Sequence, residues 1–228
     1  MNYKSLLIWD SKVKSQHPNL SICACIINNV KNTEHPPILE DIKQTVIKKI
    51  HANYTLENIK DESTTRRYRD FYWRLGIDPT KIRPAGEALV RRILANKPFP
   101  RISPAVDAYN LASVETLVAL SGYDYSKILF PLTVRLASVK DVFQGIGMDK
   151  TENLQGNEIV VCDREKIICV YPYRDSELSK IDPQTSKILI LGYSVPGLDL
   201  DTITRAVQKA CENIKLVCGG EIEYIETL

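Results

Sequence analysis

Histidine is scarce in this 228-residue chain: only His17, His35 and His51 occur, all in the first quarter. A Ser-His-Asp triad would need one of them to reach across the fold, which argues against that chemistry. The six cysteines contain no CxxC pair and have no histidine nearby, so the spacing of a zinc site is missing. There is no GxSxG, no P-loop, no GxGxxG after a strand and no HExxH. Gly145-Ile146-Gly147 has no helix signal behind it and reads as a loop. No apolar run approaches the roughly 18 residues of a membrane span. The first residues, MNYKSLLIWDSKVK, hold a four-residue apolar stretch, too short for a signal peptide. These absences predict a cytoplasmic protein with no zinc site and no membrane partner.

What is present is ordinary in bulk and uneven in detail. Hydrophobic residues make up 44% and charged residues 25%, the balance of a globular chain large enough for one substantial core. Net charge is +2, yet Thr64 to Arg101 holds ten Lys/Arg against three Asp/Glu, so the remainder is acidic. A basic segment on an acidic body fits either a phosphate-bearing partner or a solvated helix face.

Periodicity divides the chain. KSLLIWD and SICACIIN read as strands joined by a polar loop, with Cys23 and Cys25 as small core residues. Ile42, Val46, Ile47 and Ile50 have helical spacing. A second helix, capped by Ser63 or Thr64, ends at Gly76, and a third covers AGEALVRRILANK. Beyond Asp124 the signal turns to β: KILFPLTVRLA, a hairpin about Asp163-Arg164-Glu165, and SKILILGYS. A helix from Asp199 or Asp201 and a closing edge strand, GGEIEYIE, complete an α+β chain with no repeat and no linker, a single domain over 1–228.

One stretch raises a chemical question. SPAVDAYNLASVETLVALSGYD reads as a buried helix from the cap Ser103 to the terminator Gly122. At helical spacing Asp107 and Asn110 share a face with Leu111, Val114 and Ser121. Polar groups on a buried face either tie elements together or line a cleft.

RRYRDFYWR interleaves Arg66, Arg67, Arg69 and Arg74 with Tyr68, Phe71, Tyr72 and Trp73, a mixture suited to single-stranded nucleic acid or, equally, to a helix with one wet face. The segment from Arg66 onward resembles free-standing relatives of the editing module of the phenylalanyl-tRNA synthetase beta subunit, its third and fourth (B3/B4) domains. The residues that carry this resemblance are Arg69, Leu75 to Pro79, Glu87 to Arg92, Val106 to Asn110, Tyr123-Asp124, YPYRDSELSKI and CGGEIE. The likeness spans about Arg66 to Glu223.

The resemblance implies a mixed-sheet unit with a cleft between intertwined halves and no metal or organic cofactor. It also implies hydrolysis, in trans, of the ester of a mischarged aminoacyl-tRNA. Ser121 stands where the synthetase has a cleft histidine, so the synthetase's amino-acid specificity does not transfer. The residues expected to carry the reaction are Asn110, Ser121 and Glu87. Those expected to meet the 3′ end of the aminoacyl-tRNA are Arg66, Arg67, Arg91, Arg92 and Asp107. A non-catalytic tRNA- or RNA-binding module is the alternative, and an amino-acid binder that has lost RNA a third. A complete synthetase is excluded, because the chain is too short and lacks a nucleotide-binding motif.

Overall fold

The computed structural model describes residues 6–228, so the start of the strand expected from Lys4 lies outside them. In chain order the elements are β1 (Leu7–Trp9), α1 (Ser11–Gln16), β2 (Ile22–Asn28), α2 (Pro37–Asn53), α3 (Ser63–Arg74), α4 (Ala85–Leu94), α5 (Pro104–Thr116) and β3 (Leu120–Asp124). There follow β4 (Leu132–Leu136), β5 (Val142–Phe143), β6 (Glu152–Asn153), β7 (Ile159–Cys162), β8 (Ile167–Val170), β9 (Arg174–Asp175), β10 (Ile188–Tyr193), α6 (Leu200–Cys218) and β11 (Glu221–Thr227). The fold is α+β.

Two sheets organise it. One has the order β1-β4-β7-β8-β9, the other β11-β2-β10-β3, and β5-β6 is a separate ribbon. The first sheet is antiparallel except for the β1–β4 pair, and the second is antiparallel throughout. The expected hairpin is β7–β8, whose turn is fixed by Asp163 accepting the N–H groups of Glu165 and Lys166, both at 2.8 Å. The closing edge strand is β11, and all six cysteines are free and buried.

Helices α5 and α6 cover one face of the second sheet. A Cβ at Gly192 would lie 2.5 Å from Val207 Cγ2, so glycine allows α6 to approach β10 closely. The other face meets the first sheet across a layer rich in tyrosine. Tyr171 and Tyr193 stand edge to face at 5.0 Å, and Phe71 of α3 stacks edgewise on Tyr171. The Tyr68 hydroxyl donates to the Tyr193 carbonyl and accepts the Ala119 N–H at 3.1 Å. The apolar stripe of α3 therefore plugs the space between the sheets.

Three local expectations are corrected. The polar loop after β1 contains α1, because Asp10 caps it by accepting the Lys12 N–H. Helix α3 is capped by the Glu62 carboxylate on the Thr65 N–H, not by Ser63 or Thr64. Helix α5 stops at Thr116, with Leu117 at φ +60°, and the chain then enters β3. Ser121 and Gly122 are strand residues, since pairing of Leu120–Asp124 with β10 satisfies their backbone better than another helical turn. Gly122 is required for a different reason: a Cβ there would lie 2.6 Å from the Tyr109 ring of α5.

Helices α3 and α4 are joined by a buried ion triplet. Glu87, with no exposed side-chain surface, accepts from Arg69 at 3.0 Å and from Arg91 Nε at 2.8 Å. Breaking such a pair strands charge in a poor solvent, and the arginines are only 17% and 20% exposed. We expect Glu87→Gln to lower unfolding free energy by about 3 kcal/mol in urea titration, whereas a neutral result would show the triplet to be dispensable.

Candidate functional site

The edges of the two sheets meet at one place. Strand β9 ends the first sheet and β3 ends the second. The segment after β9 runs to β3: Ser176 bridges to Gly145, just after β5 of the separate ribbon, and Lys180 bridges to Tyr123 of β3. Along β3, alternation turns Ser121 and Tyr123 to one face and Gly122 to the other. The Ser121 face looks into the tyrosine layer, with Ser121 and Tyr123 in register with Leu191 and Leu189 of β10.

Asp175 closes this seam. Its Oδ1 accepts the Tyr123 hydroxyl at 2.5 Å, and Tyr123 is 2.6 Å from the Tyr193 hydroxyl. Burial raises the carboxyl pKa of Asp175, while hydrogen bonds from Tyr123, Ser121 and Cys169 pull the other way. Burial raises the Cys169 thiol too, and the Asp175 charge adds to it. Asp175 as a whole is half-buried, whereas Tyr123 is sealed. The result is a buried carboxyl group held at a sheet edge and fixed by hydrogen-bond donors. The Tyr72 and Ser179 hydroxyls are also buried and have no hydrogen-bond partner among the described residues. Beside the seam a cavity of about 500 Å³ is lined by Gln144, Ser176, Leu178, Arg164 and Lys140.

The residues expected from sequence are placed as follows. Ser121 is in the seam, on β3, and interacts with Asp175. Glu87 is enclosed by Arg69 and Arg91 and offers no open face to a water molecule. Asn110 is half-buried on α5. The α5 residue that meets β3 is Tyr109, so Asn110 and Ser121 do not share a helix face.

Asp107 sits elsewhere. It accepts the Ile102 N–H at 2.9 Å and faces His35 Nε2 at 3.2 Å, beside a cavity of about 230 Å³ also lined by Lys43, Phe99 and Arg101. Burial raises its carboxyl pKa, against the opposing effects of the Ile102 and His35 hydrogen bonds.

Among the arginines, Arg91 is spent on Glu87 and the Leu56 carbonyl, and Arg67 on the Gly197 carbonyl. Arg92 donates to the Pro98 carbonyl, and Arg66 is exposed.

Asp175 is the residue that sequence reasoning missed. It lies inside YPYRDSELSKI, but only the crossing from β9 to β3 brings it to Ser121 and Tyr123. The Tyr123-Asp124 pair divides its work: Tyr123 serves the seam, while Asp124 accepts from Thr185 at 2.7 Å and from Ser126 at 2.6 Å.

Comparison with known proteins agrees with this architecture. A family model described as the B3/4 domain matches residues 67–219. The chain is 27% identical to the phenylalanine–tRNA ligase beta subunit of Haemophilus ducreyi, covering 54% of this chain and 18% of that one. It is 25% identical to the Mycoplasma genitalium beta subunit, covering 53% and 14%. It therefore spans under a fifth of the length of these relatives. An N-terminal fragment of the phenylalanyl-tRNA synthetase beta subunit from Pyrococcus horikoshii superposes with a TM-score of 0.51 at 13% identity, over 97% of this chain and 53% of the fragment. With two thirds of its length matched, the chain belongs to the B3/4 domain family.

Proposed function

We propose that the chain hydrolyses the ester of mischarged aminoacyl-tRNA at the β3–β9 seam, with Asp175 as general base. The observation that carries this reading is the Asp175 carboxylate, oriented by Tyr123 beside Ser121 in a half-buried residue. The relatives named as tRNA ligase subunits supply the substrate class.

An aminoacyl ester is already activated, so the site has to orient a water and stabilise developing charge. Asp175 takes a proton from water as the water oxygen attacks the ester carbonyl. Collapse of the tetrahedral intermediate breaks the bond to the ribose oxygen, which leaves with the proton returned from Asp175. The products are a free amino acid and a tRNA with its terminal hydroxyl restored. A carboxyl group with a raised pKa is, in its ionised form, a stronger base than an ordinary one. Ser121 also hydrogen-bonds to the carboxylate and faces the same layer.

Single-turnover deacylation across a panel of correctly and incorrectly charged tRNAs tests this. One or a few mischarged species should be lost quickly, about 100-fold more slowly in Asp175→Asn, in line with a general base. Ser121→Ala should cost about tenfold. Intact esters throughout, at enzyme excess and with tRNA bound, would move the function to the non-catalytic RNA-binding module.

Titration supplies a second test. The rate above background should rise with pH through a value higher than the ordinary aspartate figure of about 3.9, and Asp175→Asn should abolish that inflection. Stability runs the opposite way. Folded Asp175 holds its proton more tightly than the unfolded chain, so its contribution is full below about pH 3.9 and is lost as pH rises through the folded value. Asp175→Asn should remove that part of the slope in denaturant titrations, and an unchanged slope would place the charge in a better-solvated setting.

A further inference from the structure

We infer that the outer face of α3 around Trp73, together with the turn that follows it, binds a single-stranded RNA segment. Three of the four aromatic side chains of α3 are buried: Tyr68, Phe71 and Tyr72. Trp73 is 56% exposed, a large flat ring on the opposite side of the helix. Helical spacing puts Arg66 two turns before it on the same side, with Arg74 adjacent. Both are exposed and take part in no ion pair among the described residues. Arg69 reaches the Pro79 carbonyl at 3.5 Å, which brings the turn carrying Lys81, Ile82 and Arg83 alongside α3. Those three side chains are exposed as well.

The charge excess from Thr64 to Arg101 concentrates here by elimination. Glu87 consumes Arg69 and Arg91, and the Asp78 carboxylate is turned to Thr80. Asp70 is the one exposed acid left on α3. A lone aromatic platform among guanidinium and ammonium groups, of which Lys81 lies near the Asp78 carboxylate, matches a strand whose bases stack and whose phosphates are neutralised. A protein partner would call for a broader apolar patch than one indole and Ile82. Helix α3 also packs on the seam, since Tyr72 meets Tyr173 edgewise at 6.2 Å, next to Arg174 and Asp175. In taking the strand to be the 3′ end of an aminoacyl-tRNA, the inference rests on the proposed function; the surface itself rests on charge and exposure.

The test is titration with a short unstructured oligoribonucleotide and with uncharged tRNA, reading intrinsic fluorescence and anisotropy across a salt series. Stacking should quench Trp73. Trp73→Ala should weaken binding about tenfold, with Trp73→Phe recovering part of the loss. Lys81→Glu and Arg83→Glu should weaken it further and flatten the salt slope by about 0.7 for each phosphate no longer neutralised. All these positions are exposed, and thermal unfolding checks that the variants fold. RNA affinity unchanged in Trp73→Ala, absence of binding at low salt, or a dimer that Trp73→Ala dissolves without touching RNA would each overturn the inference. Ester hydrolysis and RNA affinity both undiminished in Trp73→Ala would leave the seam reading standing. Binding abolished in that variant, while the unaltered protein leaves every ester intact, would do the reverse.

Discussion

A carboxylate cannot enter the space between two sheets unless something there is built to receive it. Asp175 meets that condition through the Tyr123 hydroxyl, itself tied to Tyr193, and through Ser121. Much of the surrounding architecture follows from this requirement. Two of the donors, Ser121 and Tyr123, lie on β3 of one sheet, while the acceptor lies on β9 of the other. The network therefore holds only if the two sheet edges stay together, and the bridge from Lys180 to Tyr123 helps to keep them so. Tyrosine suits this layer because its ring supplies apolar volume and its hydroxyl a single directed polar group.

The same economy explains how α3 serves two surfaces. Its inner stripe, Tyr68, Phe71 and Tyr72, fills the gap between the sheets, and the Tyr68 hydroxyl bonds to the backbone at the start of β3. The helix is thereby fixed relative to the seam. On its flank, Arg69 reaches across to Glu87 and the Pro79 carbonyl, so α4 and the intervening turn are fixed with it. Asp107 performs a comparable service at the other end of the helical layer, holding Ile102 and His35.

The elements with strong local patterns were legible from sequence. Helix α2, the β7–β8 hairpin, helix α6 and the edge strand β11 each have a clear period or turn chemistry. The boundary of α5 was not legible, because Leu117 to Gly122 is apolar enough to continue a helix. Pairing with β10 decided otherwise, and no local signal reports a partner about seventy positions away. That one boundary changed the meaning of Ser121 and Gly122: the first left the face of Asp107 and Asn110, and the second became a contact surface for Tyr109. Glu87 looked available for chemistry because its two arginine partners come from α4 itself and from α3, and only the second requires tertiary structure to see. Asp175 was hidden for the complementary reason, since the hydroxyls that give it significance are distant in sequence.

The resemblance implies a histidine in the synthetase segment where this chain has Ser121, and the Asp175 carboxylate beside Ser121 gives that expected difference a chemical context. A serine hydroxyl is a poor base, so a chain with serine there needs its proton acceptor from another residue if it is to hydrolyse an ester. Asp175 is adjacent and oriented, and burial pushes its pKa in the direction that strengthens it as a base. A larger imidazole against the same aspartate would compete for the Tyr123 hydrogen bond and, if protonated, would hold the carboxyl pKa down. Serine and a buried carboxylate thus form a consistent pair: the hydroxyl is a neutral hydrogen-bond partner for the carboxylate, and burial is the largest influence on its basicity.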